Sequence, residues 1–111
     1  MKPKKPKLLE KDFQRQIIDL AHLYGWRIAH FRPALRQSGG YSTPVGADGA
    51  GWPDLTLVKG NKLIFAEIKS DTGKTSPDQD IWLECLGMTG ATMVTVWRPS
   101  NWDLIQDILT K

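Results

Sequence analysis

The sequence contains a single cysteine, only two histidines and no apolar run long enough to cross a membrane or to serve as a secretion signal. The lone Cys85 excludes an intrachain disulfide, and His22 and His30 do not form the Cys/His pattern of a zinc site. A disulfide-stabilised or membrane-spanning protein is therefore not expected. We expect no membrane partner and a cytoplasmic protein, or one of the host cytoplasm if the source is a virus.

The positive charge of the chain is concentrated at its N-terminus. The 111 residues carry a formal net charge of +3. The first seven residues include Lys2, Lys4, Lys5 and Lys7. We predict a basic flexible tail over residues 1–8 and one domain over residues 9–111. Such a tail would attract phosphates in a salt-dependent, sequence-independent manner, which favours nucleic acid as a partner.

A predicted β-hairpin carries the strongest functional signal. Residues 55–58 and 63–68 alternate in polarity, and Gly60-Asn61 between them is typical of a two-residue hairpin loop. If residues 59 and 62 pair across this loop, Asp54 falls directly opposite Glu67. Like charges placed directly opposite each other are destabilising, and a divalent cation would compensate them.

The same hairpin has one chemical face and one core face. Because strand side chains alternate, Lys69 shares the face of Glu67, while Ile68 points towards the core. The alternative is that Asp54, Glu67 and Lys69 form the solvated side of an amphipathic hairpin. The preceding Trp52-Pro53 fixes an extended entry before Asp54, and Phe65 on the charged face indicates that this face is covered.

Three amphipathic helices are predicted around the hairpin. Gly25 ends the first, over residues 10–24, and Ser76, Pro77 and Gln79 form a capping box that starts the second. Ser100 is expected to cap the third. The residues predicted to face inward are Phe13, Ile17, Leu20, Ala21 and Tyr24 in the first helix, Ile81, Trp82, Cys85 and Leu86 in the second, and Leu104, Ile105, Ile108 and Leu109 in the third.

Two further strands complete the predicted fold. Residues 26–31 and 92–97 are apolar enough for strands, and the order of elements is α, β, β, β, α, β, α. A right-handed crossover places residues 92–97 parallel to residues 63–68, in a mixed sheet flanked by helices. Residues 33–51, rich in glycine, are predicted to form a long loop that either contacts a phosphate backbone or merely connects two strands.

Glu10 is the remaining candidate of the site. It lies one turn before Phe13 and therefore extends the predicted buried stripe of the first helix, with Gln14 one turn later on its flank. The alternative role of Glu10 is to complement the helix dipole. Three carboxylates from Glu10, Asp54 and Glu67 suit Mg²⁺ or Mn²⁺. With Lys69, they are the groups used for metal-assisted phosphodiester hydrolysis.

Four segments together resemble the VRR-NUC branch of the PD-(D/E)XK nuclease superfamily. They are EKDFQ with Glu10 and Gln14, GWPDL with Asp54, FAEIKS with Glu67 and Lys69, and SPDQ with Gln79. The resemblance spans nearly the whole domain, and the helix glutamate and the late glutamine make it more specific than the short superfamily motif.

This resemblance implies an α/β, restriction-endonuclease-like αβββαβ core with a mixed sheet flanked by helices, plus a C-terminal helix. It implies a metal held by Glu10, Asp54, Glu67 and the main-chain carbonyl of Ile68, with Lys69 as the catalytic lysine. Gln79 would support that lysine or the attacking water, or only cap its helix. The further candidates for DNA contact are Gln14, Arg36, Tyr41 and Lys74.

The implied activity is that of a Mg-dependent endodeoxyribonuclease. Stand-alone domains of this family are suspected to resolve four-way (Holliday) junctions as homodimers, and a two-fold dimer suits a two-fold junction. Trp82, Trp97 or Trp102 would help to form such an interface, or lie in the core. The alternatives are a flap, nicking or restriction-type nuclease, and a DNA-binding module without turnover.

Overall fold

The fold is described by a computed structural model for residues 9–31, 34–35, 41–42 and 46–111. Its elements follow the order α1 Glu10–Leu23, β1 Arg27–His30, β2 Ala34–Leu35, β3 Tyr41–Ser42, β4 Leu55–Lys59, β5 Lys62–Ile68, α2 Pro77–Gly87, β6 Met93–Trp97, a 3-10 turn Pro99–Asn101 and α3 Trp102–Leu109. The predicted α/β architecture is confirmed, with the αβββαβ order of a restriction-endonuclease-like core and a C-terminal helix.

The main sheet has four strands in the order β1-β4-β5-β6. Strands β1, β4 and β5 are antiparallel, and β6 runs parallel to β5, as the crossover rule predicts. The hairpin register is also confirmed, because Lys59 pairs with Lys62 and Leu55 with Ala66 across the Gly60-Asn61 loop. Gly60 has a φ of +59°, which suits a glycine at the first loop position. Extending this register by one residue sets Asp54 opposite Glu67.

One face of the sheet forms the hydrophobic core with α1 and α3. The fully buried members from the sheet are Leu55, Leu57, Ile64, Ala66, Ile68 and Trp97. Phe13, Ile17 and Ala21 from α1 and Ile105 and Leu109 from α3 pack on them. The indole N–H of Trp26 donates to the Leu109 carbonyl at 2.9 Å, which ties the end of α3 to the start of β1.

The other face is covered by α2 and by the segment that leads into β4. The Trp52 ring packs edge-on against Phe65, with 5.4 Å between centroids, and against Trp82, with 4.9 Å. Trp82 donates from its indole N–H to the Asp48 carbonyl at 2.8 Å. Gly51 has a φ of +88°, and a Cβ there would lie 2.6 Å from the Asp78 carbonyl carbon. Only glycine lets this segment approach the start of α2 so closely.

Several predicted inward-facing residues are instead exposed. Tyr24 is 40% exposed because it follows the end of α1, and Leu104 is 56% exposed on the outer side of α3. In α2, Ile81 is 58% exposed and Cys85 is also exposed, so Cys85 is not a core residue. The predictions for these four residues were wrong. The helix α2 lies over a sheet face already occupied by Trp52, so Leu86 is its single buried residue.

Two predicted boundaries also differ. Ser100 does not cap the last helix, because Pro99–Asn101 forms a 3-10 turn and α3 begins at Trp102 after Asn101. The predicted loop over residues 33–51 contains two short strands, β2 and β3, which pair with each other in a separate sheet.

The predicted basic tail lies outside the described residues. None of the described helices has the length and apolar character needed to span a membrane.

Candidate active site

Glu67 is the buried charged residue at the centre of the site. It lies near the end of β5 and is 2% exposed. Its Oε1 accepts a hydrogen bond from the Gln79 side-chain amide at 3.1 Å. Its Oε2 is buried and has no hydrogen-bond donor among the described residues. A buried ionised oxygen without a donor is costly, which favours either a proton or a bound cation at this atom.

The protonation of Glu67 reflects this environment. Burial, followed by the Asp54 carboxyl, raises the pKa of Glu67 from an ordinary 4.5 to about 9. The positive charge of Lys69 opposes the shift, and Glu10 adds to it. Glu67 is therefore protonated at neutral pH, and its proton lets it hydrogen-bond to Asp54. A cation bound between the two carboxyls would replace that proton.

Asp54 is held by the backbone of β5. One of its carboxylate oxygens, Oδ2, accepts a hydrogen bond from the Ile68 main-chain N–H at 2.8 Å. Pro53, directly before it, is fully buried and fixes the approach of the chain. Asp54 is half-buried, which leaves its carboxylate facing both Glu67 and solvent. The predicted juxtaposition of Asp54 and Glu67 thus arises from the hairpin register together with this hydrogen bond.

Lys69 follows the last residue of β5 and is half-buried. Its main-chain N–H donates to the Trp97 carbonyl at 3.1 Å, which continues the pairing between β5 and β6. Its ammonium forms no ion pair within 4.0 Å with a carboxylate in the described part of the chain. The positive charge nevertheless acts on Glu67, as the opposing effect on the Glu67 pKa indicates. Lys69 therefore lies beside the carboxyl pair without forming an ion pair with either of these two carboxylates.

Gln79 takes part in two interactions that the sequence left as alternatives. The side-chain Oε1 of Gln79 accepts a hydrogen bond from the Ser76 main-chain N–H at 2.8 Å. The main-chain N–H of Gln79 donates to Ser76 Oγ at 3.2 Å. This reciprocal pair is the predicted capping box of α2. The side-chain amide nitrogen of Gln79 donates to Glu67 Oε1 at 3.1 Å. Capping thus fixes the Gln79 side chain in the orientation that holds Glu67.

Glu10 lies at the mouth of the site rather than in the core. It is exposed, so the prediction that it extends the buried stripe of α1 was wrong; this stripe begins at Phe13. Together with Asp54 and the half-buried Gln14, it lines a groove of about 870 Å³. The groove runs between α1 and the ends of β1 and β4 and is also lined by Arg15 and Phe31.

The donor set fits a hard divalent cation held by few protein ligands. Among the described residues, no group of three or more His, Cys, Asp or Glu side chains meets the spacing of a metal site. The pair of Asp54 and Glu67, with one orphaned oxygen, is what the fold brings together. Mg²⁺ keeps several waters and often uses only one or two carboxylates, so this pair is sufficient for it.

The predicted DNA contacts are distributed unevenly. Gln14 lines the groove, and Lys74 is exposed in the loop between β5 and α2. Arg36 lies outside the described residues, and Tyr41 is described only by its place in β3.

The sequence did not predict the packing role of Trp52, nor any role for Arg98. Trp52 lies under α2 and braces Phe65 on the charged face. Arg98 follows β6, and because Ile68 pairs with Trp97, it lies next to Lys69. The signal for Arg98 was a basic residue directly after a buried strand that runs parallel to β5. Neighbouring parallel strands end at the same edge of a sheet, so their following residues meet there.

Comparison with known protein families, with curated proteins and with solved structures found no match to this chain.

Proposed function

We propose that this protein is a metal-dependent endonuclease that hydrolyses phosphodiester bonds in DNA. The observation that carries the proposal is the buried Glu67 carboxyl, which lies opposite Asp54 and beside Lys69 and has one oxygen without a hydrogen-bond partner among the described residues. A perturbed carboxyl that lies beside a second carboxyl and a lysine at the edge of a groove is typical of a hydrolytic site. The αβββαβ topology and the motifs that resemble VRR-NUC nucleases support the same chemistry.

The cation would be Mg²⁺ or Mn²⁺, held by Asp54, Glu67 and the main-chain carbonyl of Ile68, with Glu10 at the groove side. When bound, it would lower the pKa of a water molecule and offset charge on the scissile phosphate. Glu67 would give up its proton on binding. The 2.8 Å hydrogen bond to the Ile68 N–H keeps the Asp54 carboxylate turned towards β5.

The remaining residues would position the reacting groups and stabilise the transition state. Lys69 would donate to a phosphate oxygen as negative charge develops in the transition state, or orient the water. Gln79 would act as a positioning residue, because its amide holds Glu67 Oε1 and leaves Oε2 for the cation. Gln14, in the groove, would contact the DNA backbone.

The preferred substrate in this proposal is branched DNA, a four-way junction cut by a homodimer in the cytoplasm or host cytoplasm. Such a junction requires two nicks related by a two-fold axis, and a dimer supplies two sites in that relation. Trp97 does not serve an interface, because it is 1% exposed in the core. Trp102 packs edge-on against Phe13, and Trp82 packs against Trp52, which leaves each partly buried.

The test is a cleavage assay on labelled four-way junction, flap and linear duplex, with Mg²⁺ and with EDTA. The variants are Glu67→Ala and Lys69→Met, and the control is Val58→Ala, which truncates an exposed side chain on β4. We expect paired nicks across the junction with Mg²⁺, none with EDTA, and strongly reduced nicking with either site variant. Val58→Ala should cut as the wild type does.

Other outcomes distinguish the alternatives. A preference for the flap or for linear duplex would replace the junction with a flap, nicking or restriction-type substrate. Tight binding without metal-dependent cutting would indicate a DNA-binding module that has no turnover. Cation binding can be measured without cutting, by thermal unfolding in the presence of Ca²⁺ or Mn²⁺. Either cation should raise the Tm of the wild type more than that of Glu67→Ala. Equal shifts would argue against a cation at Glu67.

A further inference from the structure

Arg98 donates hydrogen bonds to the turn that follows Lys69. One guanidinium nitrogen, Nη1, donates to the Ser70 carbonyl and to the Gly73 carbonyl, each at 2.6 Å. Both acceptors belong to the turn directly after Lys69, which is closed by a hydrogen bond from the Gly73 N–H to the Ser70 carbonyl at 3.3 Å. A charged donor strengthens such hydrogen bonds relative to a neutral one.

The base of the Arg98 side chain is itself fixed. Its main-chain N–H donates to Asn101 Oδ1 at 2.9 Å, and its carbonyl accepts from the Asn101 N–H at 2.8 Å. A second link joins the same segments, because the Ser100 N–H donates to Asp71 Oδ1 at 2.9 Å. The turn after β5 is therefore clamped to the turn after β6 from both sides.

This clamp reaches the Lys69 side chain. A Cβ built on Gly73 would lie 3.6 Å from Lys69 Cδ, so the turn packs against the aliphatic part of the lysine. The Lys69 ammonium has no ion pair with a carboxylate in the described part of the chain that would hold it instead. The position of the ammonium thus depends on the backbone at the end of β5 and on the turn that Arg98 secures.

We propose that Arg98 is a positioning residue for Lys69, which it orients by hydrogen-bonding the carbonyls of Ser70 and Gly73. The inference rests on the proposed nuclease function. Arg98 contacts neither of the carboxyls in the described structure, and it acts on the reaction through the lysine. Misplacing a catalytic group by about 1 Å costs on the order of 100-fold in rate, which sets the scale of the effect.

The test is single-turnover cleavage by Arg98→Met, with DNA affinity measured separately in Ca²⁺. The cleavage rate constant should fall about 10- to 100-fold, with affinity unchanged within about 2-fold. Arg98→Lys retains a charged donor and should recover part of the rate. Arg27→Met, which removes the same charge from an exposed position on β1, is the matched control and should cut normally.

A double-mutant cycle separates this role from a general structural one. If Arg98 acts through Lys69, Arg98→Met should have little further effect on the rate of Lys69→Met. Amide hydrogen exchange provides a readout without cutting, and Gly73 should exchange faster in Arg98→Met than in Arg27→Met. If Arg98→Met fails to fold, Arg98→Lys takes its place in both measurements.

Three results would overturn the inference while leaving the nuclease function intact. They are additive rate losses in the cycle, unchanged exchange at Gly73, or a loss of affinity at constant rate, which would make Arg98 a DNA contact. A wild type that does not cut any of the DNA substrates would instead reject the proposed function, and the role of Arg98 would fall with it.

Discussion

The two faces of the β4–β5 hairpin are built from alternate residues of the same strands, yet they differ in what they contribute. On one face, Leu55, Leu57 and Ile64 are at most 1% exposed and pack against α1 and α3. On the other, Glu67 is 2% exposed, and one of its oxygens has no hydrogen-bond partner in the part of the chain that the structure describes. The first face stabilises the fold, whereas the second holds a carboxyl whose burial lowers stability unless a proton or a cation is bound to it.

The largest expected effect concerns activity on the charged face. Glu67→Ala should reduce Mg²⁺-dependent cutting by about three orders of magnitude, because a buried carboxylate ligand candidate is lost. Folding should be intact or improved at neutral pH, since the substitution removes a buried carboxyl that must retain a proton in the folded state. The measurements are the cleavage rate and the Tm in EDTA. A large drop in Tm would show that Glu67 serves the fold instead.

The core face should give the opposite result. Ile64→Ala should lower the free energy of unfolding by about 2–5 kcal/mol through loss of burial and creation of a cavity. Val58→Ala, at a position 41% exposed on the neighbouring strand, should lower it by less than about 1 kcal/mol. Urea unfolding measures both. Equal losses would mean that the two faces do not differ as described.

The pH dependence of stability should follow the raised pKa of Glu67. Its pKa is 4.5 ordinarily and about 9 in the folded chain, so the folded state retains a proton that the unfolded state releases. The contribution of this proton to the free energy of unfolding is complete below pH 4.5, declines as pH rises, and is lost by about pH 9. Between pH 4.5 and 7 the decline is as much as about 3 kcal/mol.

Glu67→Gln removes this titration without changing the shape of the side chain. Urea unfolding of the wild type and of Glu67→Gln in EDTA, from pH 5 to pH 8, should give curves that diverge as pH rises, with the variant more stable at the alkaline end. Parallel curves would contradict a proton bound at Glu67.

The smallest effect separates the two roles of Gln79. Gln79→Ala removes both its bond to Glu67 and its part in the capping box, whereas Ser76→Ala disturbs only the cap. Each should cost about 1 kcal/mol in stability. We expect a roughly 5- to 10-fold loss of cutting in Gln79→Ala alone, since a residue that orients a metal ligand affects activity on that scale. Equal activities would reduce Gln79 to a capping residue.

The patterns that could be read from sequence were those set by local geometry. The register followed from the Gly60-Asn61 loop, and the capping box followed from Ser76 and Gln79, because both depend on short-range backbone rules. Errors arose where another segment competed for the same surface. Ile81 and Cys85 have the periodicity of buried residues, but Trp52 already covers the sheet beneath α2.

The sequence by itself determined the order of the helices and of the main-sheet strands, the pairing of β4 with β5 and therefore the opposition of Asp54 and Glu67, since strand alternation and a two-residue loop favour this register. Only the tertiary structure decided how deeply Glu67 is buried, that Gln79 reaches it, and that Arg98 clamps the turn after Lys69. Those features depend on contacts between segments far apart in the chain, whose approach is set by the packing of α2 and β6 on the sheet.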